Sequence, residues 1–274
     1  MTLAAAVDYS WSFQPGAILL VGLLGGVYGW RWRELRRQDP SETRHDYARA
    51  AAFATGLAVL LVALISPIDT VGEQRLFTVH MVQHLLLADI APILLLLGLS
   101  RALLRPAVRR LRPAEEALGP LAHPVTALVL FVGTMWLWHL PALYELALRH
   151  PAAHALEHVM FFSTGVAFWW FIIEPVPPRH RLRELGMLAY IGSAKLLMGA
   201  LGVVLAFSPT AIYDTYKHVP RAWGLTAVGD LNVGGVLMML EQSIVLVIFF
   251  AILFGRMLES SEQAQRRRER FEPS

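Results

Sequence analysis

Two histidine pairs carry the chemistry most open to reading in this chain. His80-Met-Val-Gln-His84 and His154-Ala-Leu-Glu157-His158 both place histidine at i and i+4. On a helix that spacing puts both imidazoles of a pair on one face, about 5–6 Å apart at Cβ. Imidazole nitrogen suits copper, zinc and iron. His139, in Trp136-Leu-Trp138-His139-Leu-Pro141, is a fifth candidate ligand. Met198 and Met238 offer thioethers, which select Cu(I) over harder ions; against that, methionine is a common gap-filler in apolar helices. Paired histidines on two helices also supply axial ligands to haem, and a histidine-ligated zinc with an activated water makes a hydrolase. Glu157 is expected on a different face from the second pair, as a partner for a ring N–H or an interfacial group. The competing reading is that all five histidines are packing residues bonded to backbone or hydroxyls. With no cysteine in the chain, disulfides, thiolate metal sites and CxxC redox chemistry are excluded.

The elements that position these groups are apolar helices. Hydrophobic residues make up 55% of the 274 residues and charged ones 16%, where a soluble domain carries about 25% charged. Seven segments approach the roughly 20 apolar residues of a membrane span: 16–32, 49–66, 76–98, 123–142, 153–173, 185–207 and 232–255. The expected fold is all-α, a single transmembrane domain over 1–255 followed by a basic tail, 256–274. Residues 1–15 lack the basic start of a signal peptide, so the first helix is expected to stay as an anchor. Basic residues sort the loops, nineteen on one side and four on the other, the four being Arg75, Arg149, Lys217 and Arg221. The positive-inside rule then puts the N-terminus outside and the C-terminus in the cytoplasm. Dispersed over several loops, these charges lend no support to nucleic-acid binding.

With that orientation all five histidines fall in the outer half of the membrane or at its surface. At 1.5 Å per residue, His84 and His158 are roughly 8–12 Å below the outer boundary, close to the depth of Met198 and Met238. Asp89, Lys195 and Glu241 fall roughly 15–20 Å deep. Charges there pair or serve a pathway, and Lys195 is expected to pair with Asp89, Glu241 or both. Trp30, Trp32, Trp136, Trp138, Trp169 and Trp170 read as interface anchors. His45, His150 and His180 read as solvated loop residues, and His123 as the opening of the fourth helix. His218 lies in an outer loop, where it could assist metal uptake.

Four stretches together resemble the CtaG-type cytochrome c oxidase assembly family of seven-helix bacterial membrane proteins. They are HMVQHLLLADIAPILLLLG from His80 to Gly98, WHLPALYELALRHPAAHALEH from Trp138 to His158, the Phe168-Trp169-Trp170 that closes helix five, and Asp230 followed by Gly234, Gly235 and Met238. The chain departs from the family pattern at Leu231 and Met239, where the family carries Gln and Trp. The resemblance implies a non-enzyme of the bacterial inner membrane that matures the oxidase. It implies copper delivery to an oxidase subunit, with His80, His84, His139, His154, His158, Asp230 and Met238 as the matching positions. Haem and zinc stay as alternative cofactors, with electron carrier and membrane hydrolase as the matching activities. The lipid bilayer is the surrounding partner, and homo-oligomer formation is left open.

Overall fold

A computed structural model describes residues 7–38, 44–220 and 222–271. Arg221, the last three residues of the expected tail, and the side chains of His45 and of Arg267, Arg268 and Arg270 lie outside what is described. Among the described residues the structure is all-helical, with no strand. Long helices are α1 (Pro15–Gln38), α2 (Arg44–Ile65), α9 (Pro151–Ile173), α10 (Glu184–Ala206) and α12 (Ala227–Phe271). Between α2 and α9 lie α3 (Pro67–Gln74), α4 (Phe77–Leu85), a π-helical turn (Leu86–Ile90), α5 (Ala91–Gly98), α6 (Arg101–Leu118), a 3-10 turn (Gly119–Ala122), α7 (Pro124–Trp138) and α8 (Pro141–Arg149). The short α11 (Asp214–Lys217) precedes α12.

Each expected segment falls on a helix, but length and apolar composition single out five candidate spans: 47–74, 77–98, 151–173, 184–206 and 227–263. A sixth counts if residues 116–122 and 124–138, bent by 57°, are taken together. The first expected segment, within α1, is not among them. The expected 123–142 helix breaks after Trp138, because Pro141 cannot continue it and instead starts α8 at N1, where its missing N–H is harmless. The expected loop after the third segment is the 18-residue α6, capped by Ser100, whose hydroxyl accepts from Leu103 N–H at 3.2 Å. His45 belongs to α2 rather than to a loop.

The helices alternate in direction. The start of α12 meets the start of α4 through Asp230, and the end of α7 meets α4 where His139 and His84 lie 5.7 Å apart between ring centroids. At the other end, Tyr28 of α1 donates to Gly98 O of α5, and His123, which caps α7, sits 5.0 Å from His180 ahead of α10. One end of the bundle therefore gathers the histidine pairs, and the opposite end gathers the arginine-rich connections.

Proline and glycine shape the helix that bears the first pair. Pro92 lacks an N–H, and its ring would strike the carbonyl of Ala88 in an unbroken α-helix. The π turn at Leu86–Ile90 widens the helix at that point. Gly165 of α9 packs against the same carbonyl, so a Cβ there would stand 2.2 Å from Ala88 O. Such close approach lets helices pack by backbone contact in an apolar surround. Gly235 does the same against Ala206 where α12 packs on α10. Trp138 and Trp169 are buried, not interfacial: Trp138 donates to Met160 Sδ at 3.4 Å, and Trp169 to Asp89 Oδ1 at 2.8 Å. Trp30 is exposed, as an anchor should be.

Candidate metal centre

Helix α4 delivers His80 and His84, and α9 delivers His154, Glu157 and His158; all five are buried. Within each pair the rings are close, 4.3 Å between centroids for His80 and His84 and 4.0 Å for His154 and His158. Across the pairs, His80 lies 5.4 Å from His154 and 6.4 Å from His158. One ligand atom from each of His80, His154, Glu157 and His158 falls within 4.8 Å of all the others.

Glu157 corrects an expectation. It faces the histidines instead of turning away, with Oε1 3.6 Å from His84 Nε2. An i, i+3 offset from His154 is enough to keep it on the same side of α9.

Hydrogen bonding divides the imidazole nitrogens into used and unused. His139 Nδ1–H donates to Met135 O at 2.7 Å, since a carbonyl can only accept. His139 Nε2 is then a lone pair, and it lies 3.3 Å from the thioether of Met81. Tyr216 spends its hydroxyl proton on Gly72 O at 2.7 Å. Its oxygen is thereby an acceptor for His80 Nδ1–H at 3.1 Å, the tautomer that leaves Nε2 free to ligate. His154 Nδ1 is bonded to Glu73, a carboxylate one-third exposed at the histidine end. A carboxylate on the far nitrogen is the usual support of a metal-bound histidine. The atoms at this site left buried and without a hydrogen bond are Nε2 of His80, His154 and His158, both nitrogens of His84, and both oxygens of Glu157. Buried polar atoms normally find partners, and a cation seated among these would provide one. These nitrogen and oxygen donors fit a metal ion.

A second acidic group, Asp69, Glu73 and His154, adjoins the first. Asp69 is already held by Ser12, Gln14 and Gln83 at 2.7–2.9 Å, which ties the N-terminal segment and α3 to α4. Its role is positional.

The histidine end is roofed by aromatic residues that sequence reasoning did not select. Tyr144 stacks on Tyr213 at 3.9 Å, Tyr144 Oη lies 3.1 Å from His80 Nδ1, and Tyr213 donates to His139 O at 2.9 Å. Glu145 latches this roof by accepting from the Thr215 N–H and hydroxyl. Burial alone would raise the Glu145 carboxyl; Thr215 and then Arg149 outweigh it and hold it below the ordinary range.

Asp230 is not among the gathered ligands. It accepts from Phe77 N–H at 2.7 Å and Thr78 N–H at 3.0 Å, so α12 caps the first turn of α4 from across the bundle. Met198 and Met238 are buried in the core, and the sulfur brought to a histidine is that of Met81. His150 and His123 stand at the N-termini of α9 and α7, and His218 follows α11. Deeper in the bundle, Lys195 Nζ pairs with Asp89 Oδ1 at 2.8 Å, both side chains fully buried, and Glu241 reaches Asp89 from α12.

Comparison with known proteins adds a family. The family model described as cytochrome c oxidase caa3 assembly factor matches residues 26–260, a span holding both histidine pairs, the capping aspartate and the buried lysine. An uncharacterized protein of Mycobacterium leprae is 25% identical over 244 residues, 82% of this chain and 36% of that protein. Uncharacterized proteins of Mycobacterium bovis and Mycobacterium tuberculosis are each 26% identical over 238 residues, 80% of this chain and 34% of theirs. The chain thus spans about a third of the length of these relatives. No solved structure matches it.

Proposed function

The chain belongs to the cytochrome c oxidase caa3 assembly factor family, and from that premise we propose that it carries copper as cargo and passes it to an oxidase subunit. The observation that carries this reading is the set of buried, unpartnered donors on His80, His154, His158 and Glu157. Its chemistry suits one metal ion. Haem would take two axial imidazoles with a macrocycle between them, whereas these donors converge on a single small space. Copper is favoured over zinc by the neighbouring His139 Nε2 and Met81 Sδ, a nitrogen and a soft sulfur that no proton separates. Imidazoles and a carboxylate accept the divalent ion, and the imidazole–thioether pair accepts the reduced one.

In this reading α1, and α7 together with the bent 116–122 stretch ahead of it, also cross the membrane, giving seven spans in a multi-pass protein of the bacterial inner membrane. The arginine-rich end faces the cytoplasm by the positive-inside rule, so the histidine end and the N-terminus face outward. Glu73, one-third exposed at that end, receives the ion, and His154 passes it inward. The protein needs no nucleophile and performs no bond-making step.

The test is the copper content of the assembled oxidase in cells that lack this chain. Restoring the wild-type chain is expected to restore oxidase copper, and restoring His80→Ala/His84→Ala is not. Full oxidase copper without the chain would contradict delivery.

A further inference from the structure

The charge triad in the middle of the bundle leaves one atom on each carboxylate unmatched. Asp89 Oδ1 accepts from Lys195 Nζ and from Trp169 Nε1, both at 2.8 Å. Glu241 Oε2 accepts from Gln242 Nε2. Asp89 Oδ2 and Glu241 Oε1 have no donor, although both are buried and the two side chains are within hydrogen-bonding reach of each other. Two carboxylate oxygens cannot bond without a hydrogen between them. The charge count points the same way. Two carboxylates and one ammonium leave a net negative charge among apolar rings, and like-charged carboxylates that share a site do not both ionise.

We propose that Asp89 and Glu241 share a single proton beside Lys195, making a proton-binding site in the middle of the bundle. The groups facing it are Lys195 from α10, Trp169 from α9, Phe131 from α7 and Gln242 from α12. Lys195 is the one charged group among these four. A metal cation would need several further oxygens and no ammonium beside it, whereas Lys195 and Trp169 present only N–H donors, Phe131 a ring, and Gln242 a single further oxygen, Oε1. The π turn at Leu86–Ile90 gives the site its geometry, because it sets Asp89 on the same widened turn that Gly165 packs against. The site is independent of the metal centre, five residues further along the same helix than His84.

The measurement is infrared difference spectroscopy of the purified full chain in lipid, wild type minus Glu241→Gln and wild type minus Asp89→Asn. Both substitutions keep the shape and supply the missing N–H. Each difference spectrum is expected to show the loss of one protonated-carboxyl C=O band that shifts down in D2O, with an unchanged helical amide band. Any protonated Glu157 stays in both members of each pair and cancels. If either variant keeps the band while its amide band stays native, the proposal is overturned. A variant that loses its amide signature is replaced by Glu241→Asp, expected to keep the band at a shifted position; complete absence of the band in wild type would also overturn the idea.

Discussion

At the scale of single residues, the bundle depends on buried polar atoms being answered. Lys195 and Asp89 are the plainest case, because both are fully buried. Removing one partner of a buried pair leaves a charge with nothing to offset it, at a cost of about 3–5 kcal/mol. Lys195→Ala is therefore expected to lower unfolding stability in detergent by about that much. Adding Asp89→Asn should recover part of the loss, since it leaves one buried carboxylate, Glu241, where the single variant leaves two. No loss in the single variant would mean the pair contributes nothing. This pairing was legible from the sequence, because a lone lysine in an apolar segment must find a carboxylate. The inward turn of Glu157 was not, because helical spacing tells which residues share a face but not how wide the buried arc of α9 is. The tyrosine roof was invisible for a related reason: Tyr144, Tyr213 and Tyr216 lie in short connections whose docking on His80 depends on contacts distant in the chain.

At the scale of elements, the question is what holds α4 where its histidines can meet those of α9. Two devices act from other helices. Gly165 allows α9 to rest on the π turn below the first pair, and Asp230 caps the top of α4 from α12. The aspartate takes the place of a local N-cap, since Leu76 at that position offers no side-chain acceptor. Asp230→Ala is expected to cost about 0.5–2 kcal/mol, with hydrogen exchange speeding up first at the Phe77 and Thr78 amides, and Asp230→Asn should restore most of the protection. Uniform exchange along α4 in the alanine variant would contradict the capping role. From the sequence, apolar length placed a segment on each of α1, α2, α9, α10 and α12, but α12 runs past the expected end at 255 to Phe271, and the arginine-rich connection expected as a loop is the helix α6. The breaks at Pro141 and Pro92 were harder to see, because proline in a membrane helix can kink, cap or widen it, and packing against Gly165 decides which.

At the scale of the whole molecule, the two ends differ in chemistry: histidines, tyrosines and carboxylates at one, arginines at the other. The proposed function requires the first to face outward. The chain has no cysteine, so single substitutions report sidedness cleanly. Thr210→Cys, exposed at the histidine end, is expected to react with an impermeant maleimide in intact cells stripped of their outer envelope. Ser261→Cys, exposed on the far extension of α12, should react only after permeabilisation. The reverse pattern would invert the bundle and put the metal centre on the wrong side for the function proposed.

Copper delivery requires that the buried histidine centre hold copper. Elemental analysis of the purified chain after growth in copper, wild type against His80→Ala/His158→Ala, separates the outcomes. Copper is expected in stoichiometric amount in the wild type and lost in the double variant, with helical content unchanged. Equal copper in the two chains, or a wild type that holds only zinc or iron, would contradict copper delivery.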